Sequence, residues 1–414
     1  MRHRRFILII ISVIALGLAA AAVRVPPLFI TSDRCLACHN GRVTPRGEDV
    51  SIGADWRASM MAHSARDPYW QASVRRETLA HPKVAAAIEH ECSACHMPMD
   101  RYLAKAGGGM GQVFANLPAV PAPAPEAALA IDGVSCSMCH QIAKDGLGTR
   151  ESVVAGFVVD TATAWGAREI FGPYDVDDGR KRVMNSSSGF LPAKADHIRD
   201  SELCATCHTL YTHAFDDEGE VVGELPEQVP YLEWKHSAYN GRMSCQTCHM
   251  PRVEGKMAIS STLGQPREEF ARHVFRGGNF FMPRMLNAHR DVLGVVAEPL
   301  ELATASARTA VHLENSSAGI VILDATIADG VLQADVGVEN QAGHKLPSAY
   351  PSRRAWIHFT VTDGAGGVVF ESGRLSADGS IAGNDNDADR TRFEPHYAEI
   401  SRPGQVQIYE PILG

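Results

Sequence analysis

"CLACHN", residues 35–40, sets two cysteines three positions apart with a histidine directly after them. Such a run serves a redox dithiol, half of a zinc site or a point of covalent haem attachment. The rest of the sequence decides among these. All 10 cysteines fall in pairs of this kind: Cys35/Cys38, Cys92/Cys95, Cys136/Cys139, Cys204/Cys207 and Cys245/Cys248. His39, His96, His140, His208 and His249 follow the second cysteine of each pair. With 18 histidines in 414 residues, five such followers arise by chance with a probability on the order of one in several million.

A c-type haem uses all three residues. The thiols add to two vinyl groups as thioethers, and the histidine ligates the iron. Structural zinc takes two Cys-x-x-Cys pairs per ion, so five pairs leave one unmatched. A thioredoxin-like dithiol has no need of the adjacent histidine, and structural disulfides span longer loops. The expectation is five covalently attached haem c groups, with the five motif histidines as proximal iron ligands.

"MRHRRFILIIISVIALGLAAAAV" opens the chain, with Arg2, Arg4 and Arg5 ahead of an uncharged run from Phe6 to Val23. Residues 1–24 therefore read as a signal peptide or an N-terminal membrane anchor. Either places the remainder outside the cytoplasm, where c-type haem is attached: periplasmic, or periplasm-facing and anchored in the inner membrane. Without those arginines, 36 basic residues face 48 acidic ones, a charge of −12. An acidic protein is a poor nucleic-acid partner and steers in positively charged redox proteins.

Residues 25–302 contain every motif and read as short α-helices and loops wrapped around haem. The unequal gaps exclude a regular repeat. Two echoes recur: "CHMP" at 95–98 and 248–251, and Trp-x-x-Ser at 56–59 and 234–237. "GGGMG", 107–111, lacks the strand-then-helix setting of a phosphate loop, and "LPAVPAPAPE", 117–126, reads as a polyproline connector. Residues 303–414 contain no cysteine. "GIVILDATIADGVLQADVGVEN" (319–340) predicts two strands joined at Asp329-Gly330, and "AWIHFTVTDGAGGVVFESG" (355–373) predicts a second hairpin. The expected architecture there is a small β-sandwich-like domain. The sequence stops at "QVQIYEPILG", soon after another strand-like run, which leaves room for a missing partner strand.

Each iron has a second axial position. Histidine there makes an electron carrier, and a vacancy makes a site for small molecules. His63 falls on one helical face with Trp56 and Met60, and His289 on one with Met285, Val292 and Val296. His273 precedes a glycine pair that permits close backbone approach. His197 would share a face with Cys204 and His208 and serve a neighbouring haem, and His236 sits just ahead of the fifth motif. These five are the candidate distal ligands, each rivalled by an ordinary hydrogen-bonded histidine. His90, His213 and His344 stand in reserve. His81, His312, His358 and His396 read as surface, loop or strand residues. In "GHKLPSAYPSRR", Lys345, Arg353 and Arg354 suit haem propionates or an acidic partner, against the plainer reading of solvated loop charges.

"DGVSCSMCHQI", "ELCATCHTLYTHAF", "YLEWKHSAY" before "SCQTCHMP", and "RHVFRGGNFFMPRMLNAHR" resemble the bacterial multihaem cytochromes c related to the tetrahaem electron acceptor of hydroxylamine oxidoreductase. "AGHKLPSAYPSRRAWIHFTVTD" resembles the β-rich C-terminal segment of many such proteins. The resemblance implies an exported electron-transfer protein with mainly bis-histidine haems, and by position it favours His63, His236 and His273. Haem number and chain length depart from the tetrahaem prototype. All five motifs end in histidine, so the Cys-x-x-Cys-Lys haem of pentahaem nitrite reductases is missing.

The function expected is an electron relay between redox proteins such as cytochromes, a quinol dehydrogenase or a terminal reductase. The alternatives are an oxidoreductase whose one five-coordinate haem acts on a small nitrogen or sulfur compound, and a haem subunit of a larger oxidoreductase complex.

Overall fold

Cysteines at i and i+3 and a histidine at i+4 share one face of a helical turn, and each motif is wound in or beside a helix. In the computed structural model, which describes residues 27–118, 127–389 and 391–412, these helices are Asp33–Leu36, Ala85–His96, Cys136–Cys139, Ser201–Ala205 and Cys245–His249. The motif turns close as helical ones do: the amide of His39 donates to the Cys35 carbonyl at 3.0 Å, His140 to Cys136 at 3.1 Å and His208 to Cys204 at 2.9 Å. Four of the five helices have only 4 or 5 residues. Isolated helices so short are unstable in water, so tertiary contacts must hold them.

The longer helices carry their own end signals. Pro68–Ala80 starts at Asp67, whose carboxylate accepts from the Tyr69 amide at 2.9 Å. Pro299–Ser316 has proline in its first turn and a reciprocal capping box between Glu298 and Glu301. That helix runs straight through residue 303, so the β-rich part begins at Ala318.

The apolar interior is divided into small clusters. One gathers Phe29, Met99, Met138 and Phe157. Others gather Trp70, Val113 and Ile131, Met282, Leu286 and Leu302, and Val50, Met257 and Phe270. Among them runs one continuous cavity of about 2940 Å³. Pockets for a single drug-sized ligand run about 300–1,000 Å³, so this one has room for several large groups.

The first C-terminal hairpin forms as its sequence predicts. Ala318–Ala328 pairs antiparallel with Val331–Asn340. Asp329 and Gly330 both have positive φ, 53° and 80°, the requirement of a tight two-residue hairpin turn. In the second hairpin Phe359–Thr362 pairs with Val368–Ser372, while Ala355–Trp356 pairs with Ile408–Tyr409. The segment is β-rich as expected, but its sheets are two-stranded ribbons. Ile320, Ile322 and Ile327 remain exposed, so among the described residues no second sheet covers the first hairpin. The signal or anchor expected at 1–24 lies outside the described residues, as does most of the connector at 117–126. Among the described residues no helix is long and apolar enough to cross a membrane.

Candidate metal centre

All five motif histidines and nine of the ten cysteines line this cavity. The motifs adjoin one another there. The Cys35 thiol hydrogen-bonds with Cys136, Cys95 with Cys207, and Cys204 with Cys245. The first motif therefore neighbours the third, and the fourth neighbours the second and the fifth. Among the described residues no three His, Cys, Asp or Glu side chains converge as a metal-binding group, which is what structural zinc requires. Burial pushes the thiols of Cys92 and Cys139 up to about 12.

Four of the five motif histidines share a hydrogen-bonding state. Nδ1 of His39 donates to the Ile259 carbonyl at 2.8 Å, that of His96 to Ser64 at 2.8 Å, that of His140 to Phe171 at 2.6 Å and that of His249 to Arg276 at 2.5 Å. These bonds assign the tautomer. A donated Nδ1–H leaves the Nε2 lone pair free, the state of a metal-ligating imidazole with its supporting partner. Burial lowers the pKa of His96 to about 4. It does the same to His208, which faces the cavity but is enclosed by the fold. Both rings are neutral at physiological pH.

Two motif histidines face a second imidazole. His273 lies opposite His140, with ring centres 6.3 Å apart and planes 20° from parallel. His344 lies opposite His249 at 6.3 Å and 11°. With metal–imidazole bonds of about 2 Å and a ring radius of roughly 1.15 Å on each side, one metal ion between coaxial imidazoles separates the ring centres by roughly 6.3 Å. Nδ1 of His273 turns to the Ala271 carbonyl at 3.2 Å, and that of His344 to the Lys345 carbonyl at 2.8 Å. All four rings thus keep Nε2 free, and the residues fit haem with two axial histidines.

Of the five candidate distal ligands, His273 alone is on the cavity wall. His197 is buried and its Nε2 bonds the Ile142 carbonyl at 2.8 Å, so it is a core histidine with its partner. His236 and His289 are exposed, each as the residue that ends a short helix. His63 is 1% exposed and off the cavity wall, and neither ring nitrogen has a partner. The helix expected to align it with Trp56 stops at Arg57. The cavity wall instead includes His81, His213, His312 and His344. His213 is paired with Glu91. His312 sits on the Pro299–Ser316 helix and its Nδ1 is buried without a partner. Arg353 and Arg354 also line the cavity. Arg354 is committed to Asp387 at 2.8 Å. Arg353 also reaches the glycine pair: its guanidinium end lies 2.8 Å from where a side chain at Gly278 would begin. Lys345 is not on the wall.

The Trp-x-x-Ser echo has a structural meaning. The Trp56 indole donates to the Val134 carbonyl at 3.0 Å, two residues ahead of Cys136. The Trp234 indole donates to Met243 at 2.9 Å, two residues ahead of Cys245. Each tryptophan thus fastens the chain entering a motif.

Burial, with help from the charges of Arg66 and Arg290, lowers the pKa of His63 from 6.5 to about 3. Below pH 6.5 the unfolded chain takes up a proton that the folded chain refuses. His63 should therefore cost stability as the pH falls from 6.5 towards 3, by up to about 1.4 kcal/mol per unit. Denaturant titrations across that range should show a shallower acid decline for His63→Leu than for the parent; equal slopes would contradict the assignment.

No family model matches the chain and no curated protein does. Among solved structures it is similar to the penta-heme cytochrome c552 from Thermochromatium tepidum, with 18% sequence identity and a TM-score of 0.48, over 86% of this chain and 76% of that one.

Proposed function

We propose that the chain is an exported pentahaem c-type cytochrome that relays electrons between redox proteins. The observation that carries the reading is the gathering of the five Cys-x-x-Cys-His motifs on the wall of one continuous cavity, with neighbouring motifs in thiol contact. Cys35, Cys38, Cys92, Cys95, Cys136, Cys139, Cys204, Cys207, Cys245 and Cys248 would hold the haems, and the motif histidines would ligate them. Haem supplies reversible one-electron chemistry when bound.

The chain's own residues set the conditions for it. Backbone carbonyls fix the tautomers of His39, His96, His140 and His249. His140 and His273 form a facing pair that would close both axial positions of the third motif's iron, which suits a carrier. The acidic balance of the chain suits partners with a basic face, and residues 1–24 supply export or a tether. Intact mass of protein made with a c-type maturation system should exceed the mature polypeptide by five haems. Four or fewer under full maturation, or zinc in place of iron, would overturn the reading.

A further inference from the structure

"AGHKLPSA", 342–349, is tied to the fifth motif by contacts that a solvated loop would not have. One carboxylate oxygen of Glu233 accepts the Lys345 amide at 3.0 Å and the Ser348 hydroxyl at 2.6 Å. The Tyr239 hydroxyl donates to the Gln341 carbonyl at 3.3 Å. Gly343, at φ +74°, lies against the Tyr239 ring, where an added side chain would start 3.3 Å from the ring. The Asn340 side chain closes the loop on itself by donating to the His344 carbonyl at 2.7 Å. Glu233 and Tyr239 flank Trp234, which fastens the chain just ahead of Cys245. The loop after the hairpin and the fifth motif therefore share one anchor. Its product is the facing of His344 and His249 at the separation a shared metal would set. His249 is braced from its other side: its Nδ1 bonds the Arg276 carbonyl, and Nε of Arg276 bonds the Cys248 carbonyl at 2.8 Å.

We propose that His344 is the distal iron ligand of the haem carried by Cys245, Cys248 and His249, and that Glu233 is the positioning residue that holds its loop. The proposal rests on the haem reading above. It makes the β-rich segment part of the redox centre. The rival on the page is His312, which lines the same cavity.

The test uses full-length, fully matured protein. His344→Ala should keep five haems by intact mass, turn one of the five high-spin by electron paramagnetic resonance, and let it bind carbon monoxide. His344→Met should return that haem to low spin with a methionine–iron charge-transfer band and a raised potential. Glu233→Gln should show a partial high-spin population that added imidazole converts back. An unchanged low-spin set in His344→Ala overturns the proposal, as does His312→Ala opening a haem that His344→Ala leaves closed. If His344→Ala does not mature, a low-spin His344→Met protein without the methionine band overturns it equally. A parent mass short of five haems would instead overturn the haem reading itself.

Discussion

Polypeptide made without haem attachment should show no cooperative unfolding transition. The folded chain surrounds about 2940 Å³ of cavity with small, separate apolar clusters. A cavity of that size left without a cofactor forfeits packing along its whole apolar wall. Net folding stability is roughly 5–15 kcal/mol. Water would relieve part of the cost but would wet an apolar wall. The motif helices of 4 or 5 residues have no means of persisting by themselves. The apoprotein should therefore bind hydrophobic dyes, lose near-ultraviolet circular dichroism and melt over a broad range, whereas the matured protein melts sharply. A sharp apoprotein transition with native near-ultraviolet signal would show that the clusters suffice without haem.

What was legible in the sequence follows from where the relevant physics is local. Covalent attachment demands fixed spacing, so Cys-x-x-Cys-His can be read from five residues. The Asp329-Gly330 turn needs two positive φ angles, and its sequence advertises them. Distal ligation depends instead on which distant segment arrives at an iron. The helical faces expected for His63 and His289 are cut short, because one helix ends at Arg57 and His289 itself closes Phe281–Ala288. His344 was readable only as a reserve because its position depends on Glu233 and Tyr239, far away in the chain. His312 was assigned to the surface for a different reason. Glu301, Thr304, Ala305, Arg308 and His312 recur at helical spacing along the cavity wall, a mostly polar face that apolar periodicity does not mark. The β-sandwich was over-read because alternating strands specify hairpins, while stacking of sheets depends on covering surface that the sequence of one hairpin does not contain.

Arg272→Met should be among the most damaging single changes in the protein. Arg272 donates to both oxygens of Asp55, at 2.9 and 2.7 Å, to the Asp49 carbonyl at 3.0 Å and to the Glu48 carboxylate. Arg308, on the Pro299–Ser316 helix, reaches the same acids at 3.3 and 3.2 Å. The Asp55 side chain is only 3% exposed. Burial raises its pKa against the pull of Arg272 and Arg308. Removing Arg272 leaves the buried Asp55 with only the longer contact to Arg308, so the loss should approach, without exceeding, the roughly 3–5 kcal/mol of a buried charge deprived of its partner. The loss should also reach the cavity, because the next residue is His273, opposite His140. A partial high-spin signal should therefore accompany the loss of stability, a readout that a purely structural arginine would not move. The sign of the pH dependence is fixed by Asp55. Without Arg272 its pKa rises further, so the stranded carboxylate can take up a proton as the pH falls. The deficit relative to the parent should be greatest at neutral pH and narrow on acidification. Adding Asp55→Leu to Arg272→Met should recover part of the stability, because the uncompensated charge is gone. With His273 as the proposed distal ligand opposite His140, the spin state should not recover with it. Full recovery of both would mean that Arg272 acts only by neutralising Asp55, and a deficit independent of pH would mean that the stranded charge is not its source.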